Sequence, residues 1–173
     1  MSPRIINLPT VQPAPLPAPY AASGEAAQHF AAQVAMLGAQ MGSARLGVNL
    51  VALAPGMRAF PFHNHRANDE LFYILAGNGR IRIGSGCHEV TAGDLIACPA
   101  GGPDSAHQLI NSGTQELRYL AIGSNHSPDI IEFPDNGTYK AVDHAAPDGA
   151  PYFEAIGRLC ESRDYWQDST PAA

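Results

Sequence analysis

From about residue 45 to residue 123, apolar and polar positions alternate in short runs separated by Gly, Pro, Asn and Asp. Such a period of two puts apolar side chains on one face of a strand. It predicts strands at 45–54, 57–64, 70–76, 79–84, 87–91, 94–98, 106–111 and 116–123, with Gly77-Asn78-Gly79 as a hairpin turn. Successive short strands without intervening helices predict a sandwich, jelly roll or barrel. Weaker strands are expected at 129–133 and 152–156. Upstream the period changes: Phe30, Val34, Leu37 and Met41 recur at helical spacing, predicting an amphipathic helix from a Ser23 cap to a stop at Gly42. Residues 1–22 alternate proline with small apolar residues, which favours an extended arm lying along the domain or a partner subunit. Near the other end, Tyr165 and Trp166 are large aromatics that need cover.

A chain of 173 residues, 45% hydrophobic, is sized for one globular domain. Its net charge of −6 repels phosphate backbones and anionic lipid headgroups, so neither nucleic acid nor a membrane surface is an expected partner. No apolar run approaches the roughly 20 residues of a membrane span, and prolines interrupt the N-terminal segment where a secretory signal would be continuous. The expected location is cytoplasmic. Cys87, Cys98 and Cys160 are odd in number and widely spaced, consistent with reduced thiols. The chain has no Gly-rich phosphate loop.

His63 and His65 stand two apart in a predicted strand, so both imidazoles leave one face. Their Cα atoms would lie roughly 6.5 Å apart, and metal–nitrogen bonds of about 2.1 Å let two such rings meet on one ion. Glu70 opens the next strand after a short polar turn, and His107 opens a later one after a Gly/Pro-rich loop. Each alone reads as a polar residue on a solvated strand. Together they would give three nitrogens and one oxygen, a donor set that suits a divalent Fe, Mn, Ni, Cu or Zn ion without choosing among them.

In order and spacing these residues resemble the cupins. Gly56, His63, His65, Glu70 and Gly77 follow that family's first motif, HxH, four residues, Glu, six residues, Gly, with one residue extra between Gly56 and His63. Gly93, Pro99, Gly101, His107 and Asn111 follow the second, with a longer loop, carrying Asp104, ahead of His107. The resemblance covers roughly residues 45–124 and extends through Gly47–Val51 and Ile130–Asp135 to a group of uncharacterised bacterial single-domain cupins. It implies an all-β, double-stranded β-helix (jelly-roll) barrel, and it maps His63, His65, Glu70 and His107 onto the metal-ligand positions.

The expected organisation is an arm at 1–22, a helix at 23–42, a barrel at 43–135 and a C-terminal extension at 136–173 that packs on the barrel or a partner subunit. By alternation Phe72 and Ile74 share Glu70's face, Leu109 and Asn111 share that of His107, and Arg80 and Arg82 point outward. Asp104 reads as a turn residue or as a partner of the site. His29, His88, His126 and His144 read as ordinary histidines, and Cys87 and Cys98 as packed small side chains. The leading functional expectation is a metal-dependent enzyme on a small polar organic molecule, with dioxygenase, isomerase and decarboxylase chemistry all open. The competing expectation is a binding or sensing module without turnover. Free edge strands and the Pro-rich arm predict a homodimer.

Overall fold

A computed structural model describes residues 4–18, 20–143 and 153–167. The alternating segments form strands β1 (Ala14–Pro15), β2 (Gln33–Met36), β3 (Gly47–Leu53), β4 (Asn64–His65), β5 (Glu70–Ala76), β6 (Asn78–Ile83), β7 (Gly86–Thr91), β8 (Leu95–Cys98), β9 (His107–Ile110), β10 (Leu117–Gly123), β11 (Asp129–Phe133), β12 (Thr138–Asp143) and β13 (Phe153–Arg158). One sheet runs β1-β2-β3-β10-β5-β8; a second runs β7-β6-β9; a third runs β13-β12-β11-β4. Antiparallel backbone bonds between His63 and His107 connect the second and third sheets. The result is the expected jelly-roll barrel. Val51, Leu53, Phe72, Ile74, Ile81, Leu109, Leu117 and Tyr119 form its core, each contributing about 1.5–3 kcal/mol by burial. On the opposite face of the first sheet, Leu50 packs with Ala35 and Leu37, against which Ile6, Leu8 and Val11 of the N-terminal arm rest.

Four sequence expectations are corrected. The continuous helix expected over 23–42 is broken into a 3-10 helix, Gly24–Gln28, that does start after Ser23, and α1 (Leu37–Met41), which does end at Gly42, whose φ is +70°. Residues 33–36 are instead a strand, because β3 offers an open edge. There Val34 packs toward the barrel core and Ala35 against the outer cluster, a two-sided burial that a helix could not supply. Residues 57–63 form only isolated bridges, from Arg58 to Phe30 and from Arg58 and His63 to β9, since Pro61 has no N–H to offer a ladder.

The third correction concerns Gly77-Asn78-Gly79, which carries the chain between sheets and does not close a hairpin: β5 pairs with β10 and β8, β6 with β7 and β9. Gly77 has φ +81°, and a Cβ there would run into the Glu116 carbonyl. Finally, the barrel does not end at residue 135. β11 and β12 form a hairpin across that point, and β13 adds to it, so the extension continues the third sheet. Tyr165 and Trp166 stay exposed, stacked edge to face on each other. Among the described residues no helix is long and apolar enough to cross a membrane.

Candidate metal centre

The barrel places Glu70 at the start of β5 in one sheet and the three histidines on the facing layer. His63 and His107 are backbone neighbours, exchanging N–H···O bonds of 3.2 and 2.8 Å, while His65 lies on β4 opposite Ile131 of β11. The rings converge: His63 is 5.2 Å from His65 and 4.8 Å from His107, centroid to centroid. Glu70 Oε2 lies 2.8 Å from His107 Nε2, 3.5 Å from His65 Nε2 and 3.9 Å from His63 Nε2. Donor atoms of His63, Glu70 and His107 all fall within 4.8 Å of one another. His65 stands just outside that set while facing the same carboxylate oxygen. Phe72, 5.3 Å from the His107 ring, closes the inner side.

Each imidazole is held by its other nitrogen. His63 Nδ1 lies 2.7 Å from the Pro61 carbonyl, His107 Nδ1 3.2 Å from the Ser105 carbonyl, and His65 Nδ1 2.6 Å from Asp129 Oδ2. These partners only accept, so they assign the proton to Nδ1 and leave Nε2 as the inward donor atom. Atoms about 2.1 Å from a shared ion lie at most about 4.2 Å apart, so small side-chain rotations bring this set into range. Three imidazole nitrogens and one carboxylate oxygen fit a divalent transition ion.

The electrostatics agree with a set poised between a proton and a cation. Burial lowers the pKa of His63 to about 4, with neighbouring His107 adding to the effect. At His107 burial also acts to lower the value, but hydrogen bonds to the Cys98 sulfur and Glu70 outweigh it and push the pKa up to about 10. Without a cation, His107 is therefore an imidazolium donating from both nitrogens. Burial raises Glu70, yet the His107 hydrogen bond and the surrounding imidazoles hold it below its ordinary value. Asp129 is likewise raised by burial and brought below its usual range by His65, Asn68 and the Ala67 N–H.

Two contributors escaped the sequence reading. Asp129 lies 64 positions from His65 and carries no local signal. Cys98, 1% exposed, faces Glu70 across the β5–β8 pair, a proximity that depends on register. Other expectations resolve plainly. Asp104 is an exposed residue of the 3-10 turn Pro103–Ser105. Asn111, fully buried, bonds the Leu53 and Gln115 carbonyls and the Gly113 N–H. It is a staple between β9 and β3. Arg80 and Arg82 do point outward, pairing with Glu89 and Asp135. His126 lines a cavity of about 170 Å³ beside His65 and Glu70. His144 lies outside the described residues.

Residues 49–123 match the family model described as a cupin domain. An uncharacterised protein of Methanocaldococcus jannaschii is 31% identical over 74 residues, 40% of this chain and 57% of that protein, so the chain spans little more than half the length of this curated relative. Among solved structures, a sugar phosphate isomerase of the cupin superfamily from Silicibacter pomeroyi is 27% identical with a TM-score of 0.66, covering 76% of this chain and 78% of that one. A protein from Acidithiobacillus ferrooxidans, provisionally named a sugar phosphate isomerase, is 22% identical with a TM-score of 0.68, covering 78% and 80%. The latter likeness is one of fold. The resemblance to the cupins read from the two motifs is borne out by the family match and by the barrel.

Proposed function

We propose that this cupin holds one divalent transition metal ion through His63, His65, Glu70 and His107 and is a metal-dependent enzyme acting on a small polar organic molecule. The observation that carries the reading is the convergence of three Nε2 atoms on Glu70 Oε2 while all three Nδ1 atoms are tied outward. Similarity to the Silicibacter isomerase favours isomerase chemistry over dioxygenase and decarboxylase chemistry. When bound, such an ion supplies Lewis-acid polarisation of a carbonyl or hydroxyl oxygen. The chain's own residues do the rest. Asp129 fixes the tautomer and ring plane of His65, Phe72 and Tyr119 keep water from the inner side, and the cavity beside Glu70 admits the substrate.

A binding module without turnover is the second reading, favoured by one observation. Apart from His65, Glu70 and Asp129, His126 is the sole titratable side chain among the described residues lining the cavity. A proton-transferring enzyme would rely on it. The first test is elemental analysis of untagged protein beside His65→Ala and Glu70→Ala. Near-stoichiometric metal lost in both variants supports the site; metal retained in both overturns it. Turnover abolished by His126→Gln with metal retained would then favour the enzyme over the binder.

A homodimer belongs to the same proposal. Among the described residues β13 is an unpaired sheet edge, and Phe153, Ile156 and Leu159 stand exposed on or beside it. Light scattering at the monomer mass would overturn it. The cytoplasm is the proposed location, in keeping with three free thiols.

A further inference from the structure

The cavity beside Glu70 has a specific origin. In register across three strands, Glu70 of β5 lies beside Gly123 of β10, which lies beside Gly47 of β3. The row that begins with a carboxylate therefore continues as bare backbone, and the next inward row is Phe72, Ala121 and Asn49. The missing side chains leave about 170 Å³ next to His65 and Glu70. Since a water takes about 30 Å³ of liquid volume, the space suits roughly six water-sized groups.

Its charge is as informative as its size. Neither lysine nor arginine lines the cavity, and the segments outside the described residues contain none, so none can be supplied from them. Arg66 is the near exception in sequence, but it is bonded to Glu132 on the far side of β4. Besides His65, Glu70, Asp129 and His126, the polar side chains on the wall are neutral carboxamides. Those of Asn68 and Asn125 are engaged with His126 backbone and the Ala44 carbonyl. The backbone of Asn49 is paired with β2 and β10, but among the described residues its side chain makes no hydrogen bond, so the carboxamide can both donate and accept. Glu70 and Asp129 together carry two negative charges, enough to balance a divalent ion, so no net positive field remains for an anion.

Resting on the metal reading above, we propose that this site takes a short uncharged hydroxy-carbonyl or polyol of about six non-hydrogen atoms, and that it excludes phosphate esters. The Gly47–Gly123 floor sets the size and Asn49 recognises a hydroxyl. This separates the chain from the phosphorylated substrates named for its structural neighbours. Phosphate esters are bound by fork-like arginines or helix N-termini, and neither faces this cavity among the described residues.

Both glycines tolerate a side chain in backbone terms. Neither has a left-handed φ, and a Cβ on Gly47 would meet only the Gly123 carbonyl at 3.9 Å, while one on Gly123 would meet the Asp69 carbonyl and Glu70 Cγ at 3.8 Å. The test is calorimetric titration of the zinc-loaded full chain with dihydroxyacetone, dihydroxyacetone phosphate and inorganic phosphate, with zinc content measured on the same samples. The uncharged ketone should bind at least tenfold more tightly than either anion. Gly47→Val should weaken it by roughly tenfold or more, as an added group does in a fitted pocket, and Asn49→Ala by several-fold, both with zinc content unchanged. Gly123→Ala is the control should the valine variant fail to fold. Phosphate ester binding as tightly as the ketone, or ketone binding indifferent to all three substitutions, overturns the proposal, as does full zinc occupancy with no ketone bound. Protein that takes up no zinc overturns the metal reading itself, and this inference with it.

Discussion

His65 Nδ1 and Asp129 Oδ2 are joined at 2.6 Å, linking a strand of the first motif to a residue of β11 beyond the second. Asp129 is 4% exposed and also accepts from the Ala67 N–H, so the carboxylate is fixed before it fixes the imidazole. The contact gives the C-terminal strands a role in the site.

Removing that carboxylate should loosen the centre without dismantling it. Asp129→Ala is expected to weaken zinc or cobalt affinity by about 10- to 100-fold. Asp129→Asn, which keeps an acceptor for the Nδ1–H but not the charge, should lose less. Competition against a chromophoric chelator measures both. Equal affinity in Asp129→Ala and the natural protein would remove Asp129 from the site.

Opposite shifts at His107 and His63 predict a stability maximum for the metal-free chain. His107 has a folded value of about 10 against about 6.5 unfolded. Its contribution is therefore present in full below about 6.5 and is lost as pH rises toward 10. His63, at about 4 when folded, is the reverse: between 4 and 6.5 the unfolded chain binds more protons, so stability falls as pH drops through that window. Urea midpoints of chelator-treated protein should peak near pH 6.5. His107→Gln should flatten the alkaline limb and His63→Gln the acid limb.

Metal uptake should release the His107 proton. Below pH 10 the imidazolium must deprotonate at Nε2 before that nitrogen can serve as a donor. Calorimetry in buffers of different ionisation enthalpy should report close to one proton released per ion at pH 7.5, with affinity falling as pH falls. Release near zero would show that His107 is already neutral.

Asn111 completes the second motif, yet its three hydrogen bonds serve backbone groups. Asn111→Ala strands buried carbonyls, at about 1–3 kcal/mol for each unsatisfied group. It should lower unfolding free energy while leaving metal affinity in the surviving folded protein unchanged. Reduced affinity at full folding would make Asn111 part of the site.

Gly77 belongs to the first motif for a reason of shape. With φ +81° and the Glu116 carbonyl where a Cβ would stand, Gly77→Ala should destabilise by more than about 1 kcal/mol. Gly56, also at positive φ but with nothing near its Cβ position, should show the smaller effect of φ alone. Thermal melts of the two variants compare them directly.

Period-two alternation is a local property of the chain, and it sufficed to locate β3 and β5 to β11 and to aim His63, His65, Glu70 and His107 inward. The resemblance of the two motifs to those of the cupins then implied the jelly roll and mapped the candidate ligands. Tertiary structure decided what depends on which strands meet. Residues 33–36 have helical periodicity but lie along the open edge of β3, where ladder hydrogen bonds and burial on two faces outweigh a propensity of tenths of a kcal/mol per residue. Gly77-Asn78-Gly79 has hairpin composition, yet β5 and β6 go to different sheets, which a turn sequence does not encode. The Asp129 carboxylate, the Cys98 sulfur and the glycine floor beside Glu70 reach the site only through strand register. Register is set by the summed burial of side chains far apart in sequence.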